Sequence, residues 1–513
     1  MYLIGAFAYP YLEDDDPWAH ALSVKYVSIK KTVYEPVVGK HYLIYLDARP
    51  PAFDGILGIL HQTSPSINWT LKFFNSLFIS LGILFFFYFS KRFFSSSKKA
   101  LLATFFLTMF PTYLTHFIWS QGLALTLIIV GLYVLFEESK TTKYLIFSGI
   151  ITSAVFVTQE TKAIKFVILI FLLFLAKSIS FKKVEWKTMF VLMVALVISF
   201  ALWWGPMLIK YGPSKIFSEG IRQGEVRDQP PPVHPSIEGI KRYGILGSAT
   251  RQHGQYTFND IFFAKGQNTI NVPIGVGVVL SILLVLALVY FVLSYKKLIN
   301  DPNKLALIFW SVFVFFGVHG GTRWWAPFAL YTFRFWLFFA LVGSLLAVYG
   351  TYLLLSLGKK ANVPPIMIII LIFFGVWFTS GQQKFELNTA QWGPGGGWMS
   401  FEELDGYLWL RSLPINTKIF ATNEEGTYRL IGLDMYSCGW CQNEIEFREK
   451  INSKDVSEIS NWLKRNEYEY IIFDQRTFSE KGNQTTVKIQ EIASSDLFTL
   501  ANQNPATIIF KVK

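Results

Sequence analysis

Ten apolar stretches of roughly bilayer-spanning length recur along this chain, and they limit its fold more than any other feature. A membrane helix takes roughly 20 mostly apolar residues, within a range of about 17–25. The stretches run near 71–90, 100–117, 121–137, 143–158, 164–178, 187–210, 271–294, 303–318, 327–357 and 364–380. The ninth is long enough to be tilted, kinked or divided in two.

Basic residues fall between these stretches in a regular alternation. Lys91, Arg92, Lys98 and Lys99 form one group; Lys177, Lys182, Lys183 and Lys187 another; Lys296 with Lys297, and Lys359 with Lys360, complete it. If residues 1–70 lie outside, the loops at 91–99, 138–143, 178–187, 295–303 and 358–363 all fall inside. The long loop 211–270 and everything after 380 then fall outside. This accounts for the net charge of +12 without nucleic acid, for which no motif is present. Charged residues are 16% of the chain, against about a quarter in a soluble domain. The expectation is a polytopic α-helical protein of the plasma membrane with about 10–11 spans.

The count reaches eleven if a helix precedes residue 1. The opening MYLIGAFAYPY is too short to span and lacks the basic start of a signal peptide, yet something must carry residues 1–70 across. We expect the natural start to lie upstream, with a first helix before it. The expected organisation is a first outer loop (1–70), a transmembrane domain (71–380) containing the loop 211–270, a Gly-rich hinge (381–400) and an extracytoplasmic α/β domain (401–513). In the last, FEELDGYLWLRSL and VSEISNWLKRN have helical spacing, while KIFAT, YEYIIFD and ATIIFKVK read as strands.

The first loop contains LEDDDPWAH, in which Glu13, Asp14, Asp15 and Asp16 stand side by side. A charge run is usually a solvated loop. Here the acids abut Pro17 and Trp18, and His20 follows Asp16 at a spacing that a helix beginning at Pro17 would bring near them. Clustered carboxylates are the ligands that Mg²⁺ or Mn²⁺ takes. The candidates are therefore Asp16 and Asp15 for catalysis, and Asp16, Asp14, His20 and His116 for a divalent cation. His116 lies in the short outer turn HFIWSQG, and Glu160 in another, TQETK. His319, Arg323 and Arg334 lie around the outer ends of the eighth and ninth stretches, where arginine suits a phosphate. Snorkelling is the plainer account of Arg323. A lipid phosphate at the membrane surface would engage both groups, the cations stabilising the departing phosphate while a carboxylate serves the acceptor.

Asp16-Pro17-Trp18-Ala19-His20 resembles the Asp-Pro-Trp-Tyr-His segment of the GT-C superfamily of membrane glycosyltransferases. The general plan is most similar to archaeal oligosaccharyltransferase catalytic subunits. The resemblance implies a metal-binding catalytic aspartate, a polyprenyl- or dolichyl-(pyro)phosphate sugar donor and a protein or glycan acceptor. It also implies a second acidic motif near 116–121, where this chain has HFIWSQG, and an acidic loop motif near 254–262, where Asp260 is the candidate. The acceptor-reading tryptophans of that family are replaced after KIFAT by NEEGTYRL, which brings in Glu424 and Glu425. A divergent enzyme with another acceptor is the resulting expectation. The competing readings are a flippase or transporter of lipid-linked saccharides, and an inactive scaffold of the same fold.

Cys438 and Cys441 are the two cysteines, in CGWC. With no second Cys/His pair nearby, a local disulfide outside the membrane is favoured over a zinc site, and a redox centre is the weaker option. Asn68-Trp-Thr and Asn483-Gln-Thr are possible glycosylation sequons.

Overall fold

The computed structural model describes residues 1–35, 43–46, 48–137, 141–216, 256, 258–263, 270, 273–324, 333–391, 394 and 397–513. Most of the loop 211–270, and residues 327–332 of the ninth stretch, lie outside the described residues.

After a helical turn at Tyr2–Ala6, two helices cover the membrane bundle at one end: α1 (Asp15–Lys30) and α2 (Ala52–Leu60). The bundle follows as α3 (Ile67–Phe94), α4 (Ser97–Met109), α5 (Ser120–Leu135), α6 (Thr142–Phe156), α7 (Glu160–Phe181) and α8 (Trp186–Ser199). It is completed by α9 (Val278–Leu293), α10 (Pro302–Trp324), α11 (Trp336–Lys360) and α12 (Pro365–Val376). Two of these run on through a π-helical turn: α8 through Phe200–Trp204, and α12 through Trp377–Gly381 into Gln382–Thr389. Five extents, among them Ile67–Phe94, Glu160–Phe181 and Pro365–Thr389, are long and apolar enough to cross a membrane.

Three boundaries differ from the sequence reading. The stretch 100–117 is not one helix, because Pro111 disfavours helical geometry at Phe110, where ψ is 120° and α4 has ended. The stretch 271–294 becomes helical at Val278, since Val276 N and Gly277 N donate to Ile261 O at 2.7 and 3.1 Å. The ninth begins at Trp336 rather than 327, so Arg334 belongs to a 3₁₀ turn, Phe333–Phe335, just before the helix.

Residues 110–119 are buried without regular structure, so their carbonyls need side-chain donors. Lys384 supplies Leu114 O at 2.6 Å as well as Tyr113 O, and Asn75 Nδ2 supplies His116 O and Phe117 O at 3.0 Å each.

The C-terminal domain holds a four-stranded sheet of β1 (Ile419–Ala421), β2 (Tyr470–Asp474), β3 (Phe498–Gln503) and β4 (Thr507–Val512), ordered β1-β2-β4-β3. The β1-β2 pair is parallel and the other two are antiparallel. Alternate side chains of a strand face opposite ways, and here both faces are covered. Ile471, Phe473 and Phe510 join Phe447, Ile459 and Ile492 on one side. Tyr470, Ile472 and Ile509 share a second core with Trp18, Leu22, Tyr407 and Leu430. That second core unites α1 with α13 (Phe401–Trp409) and α14 (Glu424–Gly432) of the C-terminal domain. Asn68, at the start of α3, ties the same surfaces: its Nδ2 donates to Gly432 O at 2.9 Å, and its backbone N to Asp434 Oδ1 at 3.0 Å. The side chain of this sequon asparagine is consequently buried, while Asn483 is exposed.

Candidate active site

The acidic stretch starts α1 because Asp14 caps it. Its backbone is extended (φ −151°) and its carboxylate accepts from Asp15 N at 2.9 Å. Asp15 and Asp16 fill the first turn, where the helix dipole favours negative charge. Trp18 Nε1 donates to Leu12 O at 3.1 Å and folds the preceding segment back over the helix. Between Tyr11 and Val24 every side chain is buried except Asp15, which is exposed, and Asp16, which is half-buried. The four acids therefore divide: Glu13 points inward, Asp14 caps, and Asp15 and Asp16 open to solvent.

Glu13 belongs to a separate buried knot. One carboxylate oxygen lies 3.6 Å from His116 Nε2, which stands 3.0 Å from the Tyr9 hydroxyl, and Lys72 donates to Tyr9 O at 2.6 Å. Burial raises the pKa of Glu13 and lowers that of His116 to about 4. His116 is thus placed with Glu13 and away from the open carboxylates.

His20 is held by two residues that sequence reasoning did not single out. Its Nδ1 donates to Asp54 Oδ1 at 2.7 Å, and its ring stacks on Tyr45 at 3.9 Å between centroids. The Tyr45 hydroxyl in turn donates to Asp16. Asp54, the one acid in the apolar segment AFDGILGIL, could have been noticed; Tyr45 carries no local signal. With Asp54 absent, His20 Nδ1 loses its buried acceptor. Asp54→Ala should lower stability by about 1–3 kcal/mol, read as a fall in Tm, and an unchanged Tm would refute this bracing role.

The carboxylates also repel one another. Burial and the neighbouring Asp15 push Asp14 up to about 7. The surrounding protein raises Asp15 too, with the charge of Asp16 adding, although its side chain reaches solvent. The C-terminal domain brings Glu425 to the same place: burial raises its pKa, two arginines lower it, and Asp15 is close enough to raise it again. Arg476 and Arg429 pair with Glu425, the latter at 3.3 Å. Glu424 is exposed and accepts from the Tyr428 hydroxyl.

Arg429 is enclosed. Nη1 lies 2.9 Å from Glu403 Oε1 and 3.5 Å from Asp474 Oδ2, and its guanidinium sits 5.0 Å from the Trp18 ring and 4.9 Å from that of Trp398. Trp398, in the segment read as a hinge, is 1% exposed and meets Trp18 edge-on at 5.0 Å. A side chain on Gly397 would put its Cβ 2.8 Å from Trp18 and 3.2 Å from Asp14 Cα, so only glycine permits this approach.

A second group of charges is basic. Arg334 Nη1 donates to Thr161 Oγ1 at 3.3 Å, and Lys162 Nζ to Arg334 O at 3.2 Å. Lys162 and Lys165 are both buried, their ammonium groups 5.6 Å from the Phe338 ring and 4.6 Å from that of Phe335. Lys165 was not anticipated, although its position three residues after Lys162 puts both on one side of α7. Glu160 is buried at the first position of α7, which Gln159 caps. Ala52 N donates to Val157 O at 3.0 Å, so the turn leading into α7 meets the start of α2, the helix that carries Asp54. Asp260 is buried in the helical turn Phe258–Phe263. His319 and Arg323 fall in the last turns of α10, with side chains outside the described residues.

Cys438 and Cys441 are joined by a disulfide. Together with Glu444 they form the one group of three His, Cys, Asp or Glu ligand atoms, among the described residues, lying within 4.8 Å of one another. Asp14, Asp15 and Asp16 do not converge in that way.

No protein-family profile matches the chain, and no curated protein matches it in sequence. In three dimensions it is similar to the crystal structure of ArnT from Cupriavidus metallidurans bound to undecaprenyl phosphate, with a TM-score of 0.55 and 10% identity. The match covers 99% of this chain and 96% of the other. The chain thus has the GT-C fold, a multi-pass helical membrane bundle followed by a small domain with a four-stranded sheet.

Proposed function

We propose that this protein is a membrane glycosyltransferase that moves a sugar from a polyprenyl-phosphate-linked donor to an acceptor on the outer face. The observation that carries this reading is the pair of solvent-open carboxylates, Asp15 and Asp16, in a stretch otherwise buried from Tyr11 to Val24. The GT-C fold supports it, as does the undecaprenyl phosphate bound by ArnT.

Asp16 is the catalytic carboxylate in this scheme. It takes up the acceptor proton as the acceptor oxygen attacks the anomeric carbon, and Tyr45 fixes its orientation. Lys162, Lys165 and Arg334 receive the charge of the departing lipid phosphate. The group is joined to the acidic motif through α2, which contacts both the turn before α7 and His20. Glu425 and Glu424 line the approach from the C-terminal domain, on the side where a protein or glycan acceptor would come in.

A divalent cation fits the acidic group in donor type, because repulsion among consecutive carboxylates is relieved by a hard cation. The three aspartates are not a preformed cage, which suits Mg²⁺ or Mn²⁺ held by one or two carboxylates together with substrate phosphate. Asp15 and Asp16 would hold it, and when bound it supplies positive charge at the phosphate.

The test is sugar transfer by the purified protein from a labelled undecaprenyl-phosphate-linked sugar, with Mg²⁺ or Mn²⁺ present. Absence of transfer from any lipid-linked donor, alongside saccharide flux in liposomes, would replace this reading with transport. Arg334→Ala removes one charge-assisted contact, so KM for the lipid donor should rise about tenfold or more. Unchanged donor dependence would remove Arg334 from the scheme.

A further inference from the structure

The CGWC loop joins the C-terminal domain to the helix that bears the acidic motif. Gly439 packs against Leu22, and Trp440 meets Tyr26 edge-on at 5.4 Å, both partners being residues of α1. The loop's two sulfurs differ in access. Cys438 is 1% exposed, whereas Cys441 is only partly buried and stands at the N-cap of the helix Gln442–Lys450. A thiolate at a helix N-terminus is stabilised by the dipole and the free amides there. Glu444, on the first turn of that helix, accepts from Cys438 N at 3.2 Å and has a carboxylate oxygen within 4.8 Å of both sulfurs.

We propose that Cys438–Cys441 is an exchange-reactive disulfide that oxidises a dithiol, with Cys441 as the attacked sulfur and Glu444 as proton donor to the departing Cys438. A thiolate of the dithiol attacks Cys441 Sγ, and the Cys438–Cys441 bond breaks. Cys438 leaves with the electron pair and takes a proton from Glu444. The second thiolate of the partner then attacks the partner's own sulfur in the mixed disulfide and releases Cys441 as a thiolate. The sum is one protein disulfide and one dithiol converted to one protein dithiol and one partner disulfide: two electrons pass to the protein, and the two protons that the partner thiols shed to solvent on ionising are taken up again from solvent by Cys441 and Glu444. After reduction the loop is no longer held closed, and its seat on α1 through Trp440 and Gly439 is loosened. This role does not depend on sugar transfer.

Burial raises Glu444 to about 7, which leaves it protonated in a useful fraction at neutral pH. The charged and titratable groups facing it are Tyr468, Arg448, Lys418 and Tyr436. As pH rises above about 7 the donor proton of Glu444 is lost, and the rate per reductant thiolate should fall.

The experiment treats the full chain in detergent with dithiothreitol across pH 6–9, quenches with a maleimide-polyethylene glycol, and reads the mass shift. Wild type should gain two labels well below its unfolding temperature, and its rate per thiolate should decline above neutrality. Glu444→Gln should react about a hundredfold more slowly near pH 6, the low end of a positioned acid's contribution, and lose that decline. Labelling that needs prior unfolding would overturn the proposal, as would an unchanged rate profile in the variant. Single-cysteine forms give an independent reading with oxidised glutathione. Cys438→Ser, which keeps Cys441, should form the mixed disulfide, and Cys441→Ser should not; the reverse order would overturn the assignment.

Discussion

Asp16→Asn should cut sugar transfer by about 10²–10⁴-fold, the range contributed by a positioned general base, while leaving the Tm close to that of wild type. The two halves of this expectation have different physical sources. Asp16 is half-buried and its carboxylate accepts from the Tyr45 hydroxyl, a bond that an asparagine oxygen also accepts, so folding loses little. The proton acceptor is lost altogether. Asp15→Asn is the informative comparison, since Asp15 lies on the same turn, is more exposed than Asp16 and lacks the Tyr45 brace. Its effect should be smaller and should appear mainly in the Mg²⁺ or Mn²⁺ concentration required. Assays with labelled lipid-linked sugar and a cation titration decide between them, and equal turnover by wild type and Asp16→Asn would refute the role given to Asp16.

The largest loss of stability is expected at Arg429. Arg429→Met should destabilise by about 3–5 kcal/mol, the cost of leaving buried charges without a partner. Glu403 and Asp474 are 0% and 1% exposed and both face this guanidinium. Methionine keeps much of the volume between Trp18, Trp398 and Tyr407, so the loss isolates charge from packing. Because the arginine sits where Trp18 and Trp398 meet, its removal should also raise protease sensitivity between the last membrane helix and the C-terminal domain. A Tm within a degree or two of wild type would mean that the carboxylates find other donors, and would refute the estimate.

The membrane bundle was legible because a bilayer imposes length and composition, and the lysine-rich loops marked its turns. The Pro111 break was available in the same letters but is easily overridden by the surrounding apolar run; the helix ended there because backbone geometry, not hydropathy, decides. The strands YEYIIFD and ATIIFKVK were legible for a similar local reason, whereas the β3 strand Phe498–Gln503 is not: its burial does not alternate cleanly. The candidate site was legible only along α1. Asp16 and His20 are four residues apart on one helix, but Tyr45 and Asp54 reach them from 29 and 34 residues away, and spacing rules do not extend so far. Arg429 escaped notice because its two enclosed partners, Glu403 and Asp474, come from other elements, and only Glu425 lies one turn away on its own helix.

The π-helical turn at Trp377–Gly381 gives the end of the last membrane helix an unusual relation to insertion and deletion. A π turn holds one residue more than the α turn it replaces, so the turn acts as a register offset for everything after it. Lys384, three residues on, depends on that offset to reach the carbonyls of Pro111, Tyr113 and Leu114. Removing any one residue from 377–381 would leave an unbroken α-helix of good hydropathy, yet rotate Lys384 by about 100° away from them. In this segment, therefore, a one-letter gap should cost more than most substitutions, and chain length here is as much a determinant of the fold as residue identity.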